Sequence, residues 1–279
     1  MKRKVKTKVK GFRTTDGAGV KLVRVLGNLT TKEFDPILML DSFDSINPDD
    51  YTAGFPMHPH RGIETISYVS RGKMVHRDSL GNEAGISDGE VQWMNSGSGI
   101  MHEEMVPAAE RLLGVQLWLN LPAKDKMSKP SYNSIKNEDI KKIEIEGGKI
   151  RLLAGKYGEH EGYKGDYLSM DYYDIHLNAD AEVTLTMEED DSVMVFTLLG
   201  DVYIDGEHIE EKTAVKLTEG DSLTIKNGNE KAQVLYMNSR ALNEPVAWAG
   251  PIVMNTQEEL QKAFLELRSN TFIKETAEY

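Results

Sequence analysis

The sequence predicts an all-β fold: two β-barrels with one short helix near the C-terminus. Three observations carry this. Short stretches place apolar residues at every second position, turn-forming dipeptides separate them, and an internal repeat relates the two halves of the chain.

Taken in order, "MKRKVKTKVKGF" alternates lysine with valine, the pattern of a solvated edge strand. A phosphate-binding or localisation arm is the other use for the cluster Lys2, Arg3, Lys4, Lys6, Lys8 and Lys10. "DGAG" at 16–19 is a turn. "ILMLD" (37–41) and "IETISYV" (63–69) read as strands. In "LLGVQLWLNLP", Leu113, Val115, Leu117, Leu119 and Leu121 share one parity, with Gln116 and Asn120 on the other, which predicts a half-buried strand. "AEVTLTM" (181–187), "SVMVFTLL" (192–199) and "AQVLYM" (232–237) follow, punctuated by Gly81-Asn82, Asp88-Gly89, Asp205-Gly206 and Gly220-Asp221. The one helix is "NTQEELQKAFLELRSN", with Asn255 or Thr256 as cap and Leu260, Ala263, Phe264 and Leu267 as its apolar face, expected to pack across a barrel or a subunit boundary.

The repeat matches residues 70–97 with 198–228. Each has a strand, a glycine (Gly72, Gly200), a turn, a second glycine (Gly89, Gly220) and a closing glycine (Gly97, Gly228), the last two eight residues apart in both halves. The polar, lysine-rich segment "PAKDKMSKPSYNSIKNEDIKK" sets the boundary near residue 130, giving domains 1–130 and 131–279, the latter including the helix.

At 279 residues the chain can bury a sizeable core. It has no cysteine, which excludes disulfides, thiolate metal sites and cysteine nucleophiles. A net charge of −12 repels phosphate backbones, so nucleic acid is not an expected partner. No apolar run has the length or flanks of a signal peptide or a membrane span, and a cytoplasmic protein is expected. A Gly-x-Ser-x-Gly elbow, a P-loop and a dinucleotide loop are all absent from the sequence.

The chemistry concentrates in "GFPMHPHRGIETISYV" (54–69). His58 and His60 share strand parity and project to one side; His102 and Glu104 do the same in "GSGIMHEEMVP". Three imidazoles and a carboxylate converging on one point suit a divalent transition metal, and four protein ligands leave open positions on an octahedral ion. Glu64 shares the parity of His58 and His60 and is a rival ligand, an acceptor that orients an imidazole, or a residue of the polar face. His76 is read as a surface residue or one supporting the ligands from behind, and His160, His176 and His208 as exposed. Met39, Met94, Met101 and Met105 read as core filling. The repeat is a control: counting from its glycines, the second half offers Thr186 and Glu188 for His58 and His60, and Gln233 and Leu235 for His102 and Glu104. Only the first half carries ligand-type residues throughout.

The chain resembles the pirin family, bicupins of the cupin superfamily, through "DPILMLDSF" (35–43), "GFPMHPHRGIETISY" (54–68), "GEVQWMNSGSGIMHEEM" (89–105), "GVQLWLNLP" (114–122) and "EPVAWAGPIVMNTQEEL" (244–260). The resemblance implies two jelly-roll-type cupin barrels, with one metal in the N-terminal barrel held by His58, His60, His102 and Glu104, and so favours Glu104 over Glu64. The implied metal is iron, with Ni, Cu, Co, Mn or Zn also compatible with such donors. The implied activity is that of a quercetin 2,3-dioxygenase, which opens the central ring of a flavonol with O₂ and releases carbon monoxide. Glu104 is then the catalytic base for the flavonol 3-hydroxyl. The alternative is a metal-containing regulatory binding protein, a transcription cofactor whose acidic surface meets a basic protein partner.

Overall fold

The computed structural model describes residues 1–275. Strands alternate through it as the period-two runs require, and they assemble into two copies of one arrangement: a seven-stranded sheet with a four-stranded sheet. In the first barrel the larger sheet runs in the order Ser131–Ile135, Glu90–Asn95, Ile63–Arg71, Leu112–Asn120, Ile37–Ser45, Val20–Leu26, Phe12–Asp16. The smaller runs Phe55–His60, Ile100–Met105, Lys73–Asp78, Glu83–Ser87. In the second barrel the larger sheet is Val5–Lys10, Thr213–Leu217, Ser192–Leu199, Ala232–Ser239, Met170–Leu177, Gly148–Ala154, Lys141–Ile145. Its smaller sheet is Glu182–Thr186, Ser222–Asn227, Val202–Ile204, Glu207–Ile209.

The repeat is therefore real, but its glycine count slips by one strand. By position in the sheets, Ile100–Met105 corresponds to Ser222–Asn227, not to the residues around Gln233 and Leu235. In the first barrel His102 lies opposite His58 and Glu104 opposite His76; in the second, Leu223 lies opposite Leu185 and Ile225 opposite Ile204. These four aliphatic residues belong to the core that fills the second barrel, with Ile175, Val195 and Val234. Polar ligand-type side chains occupy these places in one barrel and hydrocarbon in the other.

The two compact units are not the contiguous halves 1–130 and 131–279. One comprises residues 13–31, 37–137 and 242–279; the other comprises 1–12, 32–36 and 138–241. Backbone pairing explains the difference. Ser131–Ile135 hydrogen-bonds to Glu90–Asn95 and closes an edge of the first sheet, so the boundary falls after residue 137. The lysine–valine strand Val5–Lys10 pairs with Thr213–Leu217 at an edge of the second, with alternate residues half-buried. Arg3 departs from the solvated reading: it is buried, its guanidinium donating to the carbonyls of Glu188, Glu189, Asp191 and Thr218.

Within the first unit the C-terminal segment forms a hairpin, Ala247–Ala249 with Ile252–Met254, and then the helix Gln257–Arg268. Thr256 and Glu259 form a reciprocal capping box, and Leu260 and Ala263 pack with Ile252, Met254 and Phe272. Leu112–Asn120 is buried along its whole length rather than on one face. Its polar parity looks for partners inside the unit: Gln116 donates to Glu104 and Asn120 accepts from Lys126. Among the described residues no helix is long and apolar enough to cross a membrane.

Candidate metal centre

Antiparallel pairing sets His102 directly across from His58, and Ile100 across from His60. The side chains of His58, His60 and His102 therefore project together, with ring centroids 4.3–5.0 Å apart. One nitrogen from each lies within 4.8 Å of the others. His60 and His102 are buried and His58 is half-buried at the edge.

The protons on these rings follow from their neighbours. His58 Nδ1 lies 2.8 Å from the Pro56 carbonyl and His60 Nδ1 lies 3.0 Å from the Pro251 carbonyl. A carbonyl can only accept, so both Nδ1 atoms carry the proton and both Nε2 atoms present lone pairs. Those two Nε2 atoms are 3.0 Å apart. His102 Nε2 is buried with no hydrogen-bond partner. Burial, then the neighbouring imidazole of His58, pushes His60 down to about 3, and burial likewise holds His102 well below its ordinary value. His60 and His102 are thus neutral, as a metal requires.

This donor set fits a divalent transition ion. Two nitrogen ligands about 2.1 Å from an ion and at right angles lie about 3.0 Å apart, the separation of the His58 and His60 nitrogens. Facing lone pairs and an orphaned buried nitrogen are unfavourable without a cation to share.

Glu104 is not among the converging nitrogen donors. Two places along from His102 and fully buried, it has its carboxylate gripped by amides: Gln92 Nε2 donates to Oε1, Gln116 Nε2 donates to Oε2 at 2.9 Å, and Ser67 Oγ approaches Oε1 at 3.4 Å. Glu64 faces the other way. The chain turns between the strands Phe55–His60 and Ile63–Arg71 at Gly62, where φ is +80° and a Cβ would lie 1.9 Å from the Val253 carbonyl oxygen. The alternation that links Glu64 to the histidines is reset there, and Glu64 lies on the face opposite Ser67.

His76 supports the cluster from behind. It is fully buried, stacks on Tyr132 at 4.1 Å, and lies between Asp78 and His102. His160 and His208 are exposed, while His176 is half-exposed and bonded to the buried carboxylate of Asp174 at 2.8 Å. Met39 and Met94 fill core; Met101 is half-buried and Met105 is 42% exposed, so the last of these is surface rather than filling.

His58, His60 and Gln116 form part of the wall of a cavity of about 560 Å³, with Met39, Trp118 and Trp248. Trp118 packs edge-on to His60 at 5.0 Å and meets Trp248 at 5.5 Å. Arg24 stands at the rim, bound to both oxygens of Asp41 (2.9 and 2.6 Å) and to Asp16 (2.7 Å). Indole, imidazole and amide side chains thus share the cavity lining.

Residues 19–119 match the family described as Pirin, and residues 172–273 match the Pirin C-terminal cupin domain. The chain belongs to the pirin family. Human pirin is 35% identical over 96% of this chain and 93% of its own length. A Pseudomonas aeruginosa pirin relative, provisionally named a quercetin 2,3-dioxygenase, is 39% identical over 92% of this chain and 94% of its own. The crystal structure of a quercetin 2,3-dioxygenase from Acinetobacter baumannii superposes with a TM-score of 0.89 at 30% identity, covering 98% of this chain and 99% of that one. The two-barrel cupin fold expected of a pirin is the fold observed.

Sequence reasoning missed Gln92, Gln116 and Asp78. Gln116 was legible as the polar parity of an apolar strand, and Asp78 lies two residues from His76, at the spacing that shares a strand face.

Proposed function

We propose that this pirin is a metal-dependent dioxygenase that opens the ring of quercetin-like flavonols with O₂. One observation carries the reading: ring nitrogens of three imidazoles converge beside a cavity walled by Trp118 and Trp248. His58, His60 and His102 would hold the ion, with Glu104 as a fourth ligand or as the base beside it. When bound, iron supplies Lewis-acid and redox chemistry toward O₂.

The chain's own residues do the rest. The cavity admits a flat polyphenol, and the indoles offer it an aromatic face. Glu104, held in place by the amides of Gln92 and Gln116, takes the proton of the 3-hydroxyl, leaving the ring electron-rich. Gln116 touches both the cavity and the carboxylate, so it positions the base against the guest. The assignment of the flavonol draws on the names of the relatives, the aromatic wall on the structure.

The test is turnover by iron-loaded protein, read as loss of flavonol absorbance with matching O₂ uptake and carbon monoxide release. His102→Ala should lose both metal and turnover. Fully metallated wild-type protein that leaves flavonols untouched would overturn the substrate and favour the regulatory binding reading.

A further inference from the structure

The three imidazoles differ in what holds them. His58 and His60 each give their Nδ1 proton to a backbone carbonyl, which no side-chain change can remove. His102 Nδ1 instead faces His76 Nδ1, at 3.4 Å. Another imidazole can donate or accept, so the proton on His102 depends on what lies beyond His76.

Beyond it lies Asp78. Its carboxylate accepts from His76 Nε2 at 2.8 Å, from the backbone N–H groups of Leu80 (2.9 Å) and Asn82 (3.1 Å), and from the Asn82 amide at 2.9 Å. Burial alone would raise this carboxyl, but the bonds from His76 and Asn82 hold it below its ordinary value. Four donors leave it no role but acceptor, so His76 carries its proton on Nε2. The lone pair of His76 then sits on Nδ1, facing His102, and only a proton on His102 Nδ1 makes that contact favourable. That proton leaves the His102 Nε2 lone pair free, on the buried nitrogen with no partner. Tyr132, stacked at 14° on His76, fixes the plane of the relay ring. In the second barrel, where the ligand positions are hydrocarbon, Ile204 takes the place of His76.

We propose that His76, oriented by Asp78, is a positioning residue that sets the tautomer of His102 and so presents its Nε2 to the metal. The proposal rests on the reading that the three imidazoles hold a metal, and it adds a second histidine and a carboxylate behind one ligand. Partners of this kind typically change metal affinity about 10- to 100-fold.

The test uses the full chain and Co(II) alone. In metal-free protein, long-range ¹H–¹⁵N imidazole spectra should show His102 with its proton on Nδ1. His76→Phe keeps the ring stack on Tyr132 and removes the acceptor; it should move the His102 proton to Nε2 and weaken Co(II) binding, by chelator competition, about 10-fold or more. His76→Gln offers a carbonyl to the same Nδ1–H and should return affinity to within about 5-fold of wild type. It also covers the case in which the phenylalanine variant does not fold. A His102 proton on Nε2 in the wild type overturns the proposal. So does a folded His76→Phe protein that binds Co(II) as tightly as wild type. Wild-type protein that binds no Co(II) overturns the metal reading instead, and the spectra then still decide the tautomer.

Discussion

His60 donates its Nδ1 proton to the carbonyl of Pro251, 3.0 Å away and 191 positions further along the chain. The residue after His60 is tied to the same C-terminal segment. The buried Arg61 donates to the carbonyls of Ser98 (2.7 Å) and Phe272 (2.9 Å), pairs with Glu266 at 2.8 Å, and lies over the Phe272 ring at 4.2 Å. Ser98 precedes the strand of His102, so one guanidinium joins both histidine strands to the helix. Arg61→Met removes these bonds, leaving two buried carbonyls without their donor and Glu266 paired with Lys274 alone. A loss of about 3–5 kcal/mol is expected in urea unfolding, with weaker metal retention on dialysis.

Glu104→Gln keeps the volume of the side chain and abolishes its charge. The amides of Gln92 and Gln116 would then face another amide. Metal-normalised O₂ uptake with a flavonol should fall at least about 100-fold, while the thermal midpoint shifts by only a few degrees.

Trp248 is held in the cavity wall by its indole N–H, which donates to the Gly250 carbonyl at 2.8 Å. Trp248→Ala removes one face of the aromatic wall and nothing that touches the imidazoles. The KM for a flavonol should rise about 5-fold with kcat within about 2-fold, since an aromatic contact of this kind is worth about 1 kcal/mol.

Lys126 is 2% exposed and donates to Gly62 O (2.7 Å), Asn120 Oδ1 (2.5 Å) and Val253 O (3.1 Å). Burial pushes its ammonium down from 10.5 to about 7, while the charges of Glu244 and Glu259 work against that shift. The unfolded chain binds the proton more tightly across this window, so stability rises with pH between about 7 and 10.5. From pH 7 to 9, wild-type protein should gain about 1–2 kcal/mol in urea unfolding relative to Lys126→Met.

Local patterns made much of the architecture legible. The alternation in Ile37–Ser45, Ile63–Arg71 and Ser192–Leu199 located strands, and Thr256 with Glu259 marked the helix start. His58, His60 and His102 were legible because same-side spacing on adjacent strands is a local property. What escaped was set by pairing at a distance. Glycines mark turns but do not count strands, so the second-half partners of His102 and Glu104 were placed one strand too late. Parity could not carry Glu64 across the left-handed turn at Gly62. Gln116 and Gln92 read as ordinary polar positions because nothing in their neighbourhood reveals that the interior they face holds a carboxylate.

The interleaved ends of the chain have a temporal consequence. A ribosome that has released the first 241 residues has delivered all the imidazoles but not the carbonyl that orients one of them, nor the helix that anchors the adjoining guanidinium. Maturation of the histidine cluster must therefore wait for the final stretch to emerge and fold back.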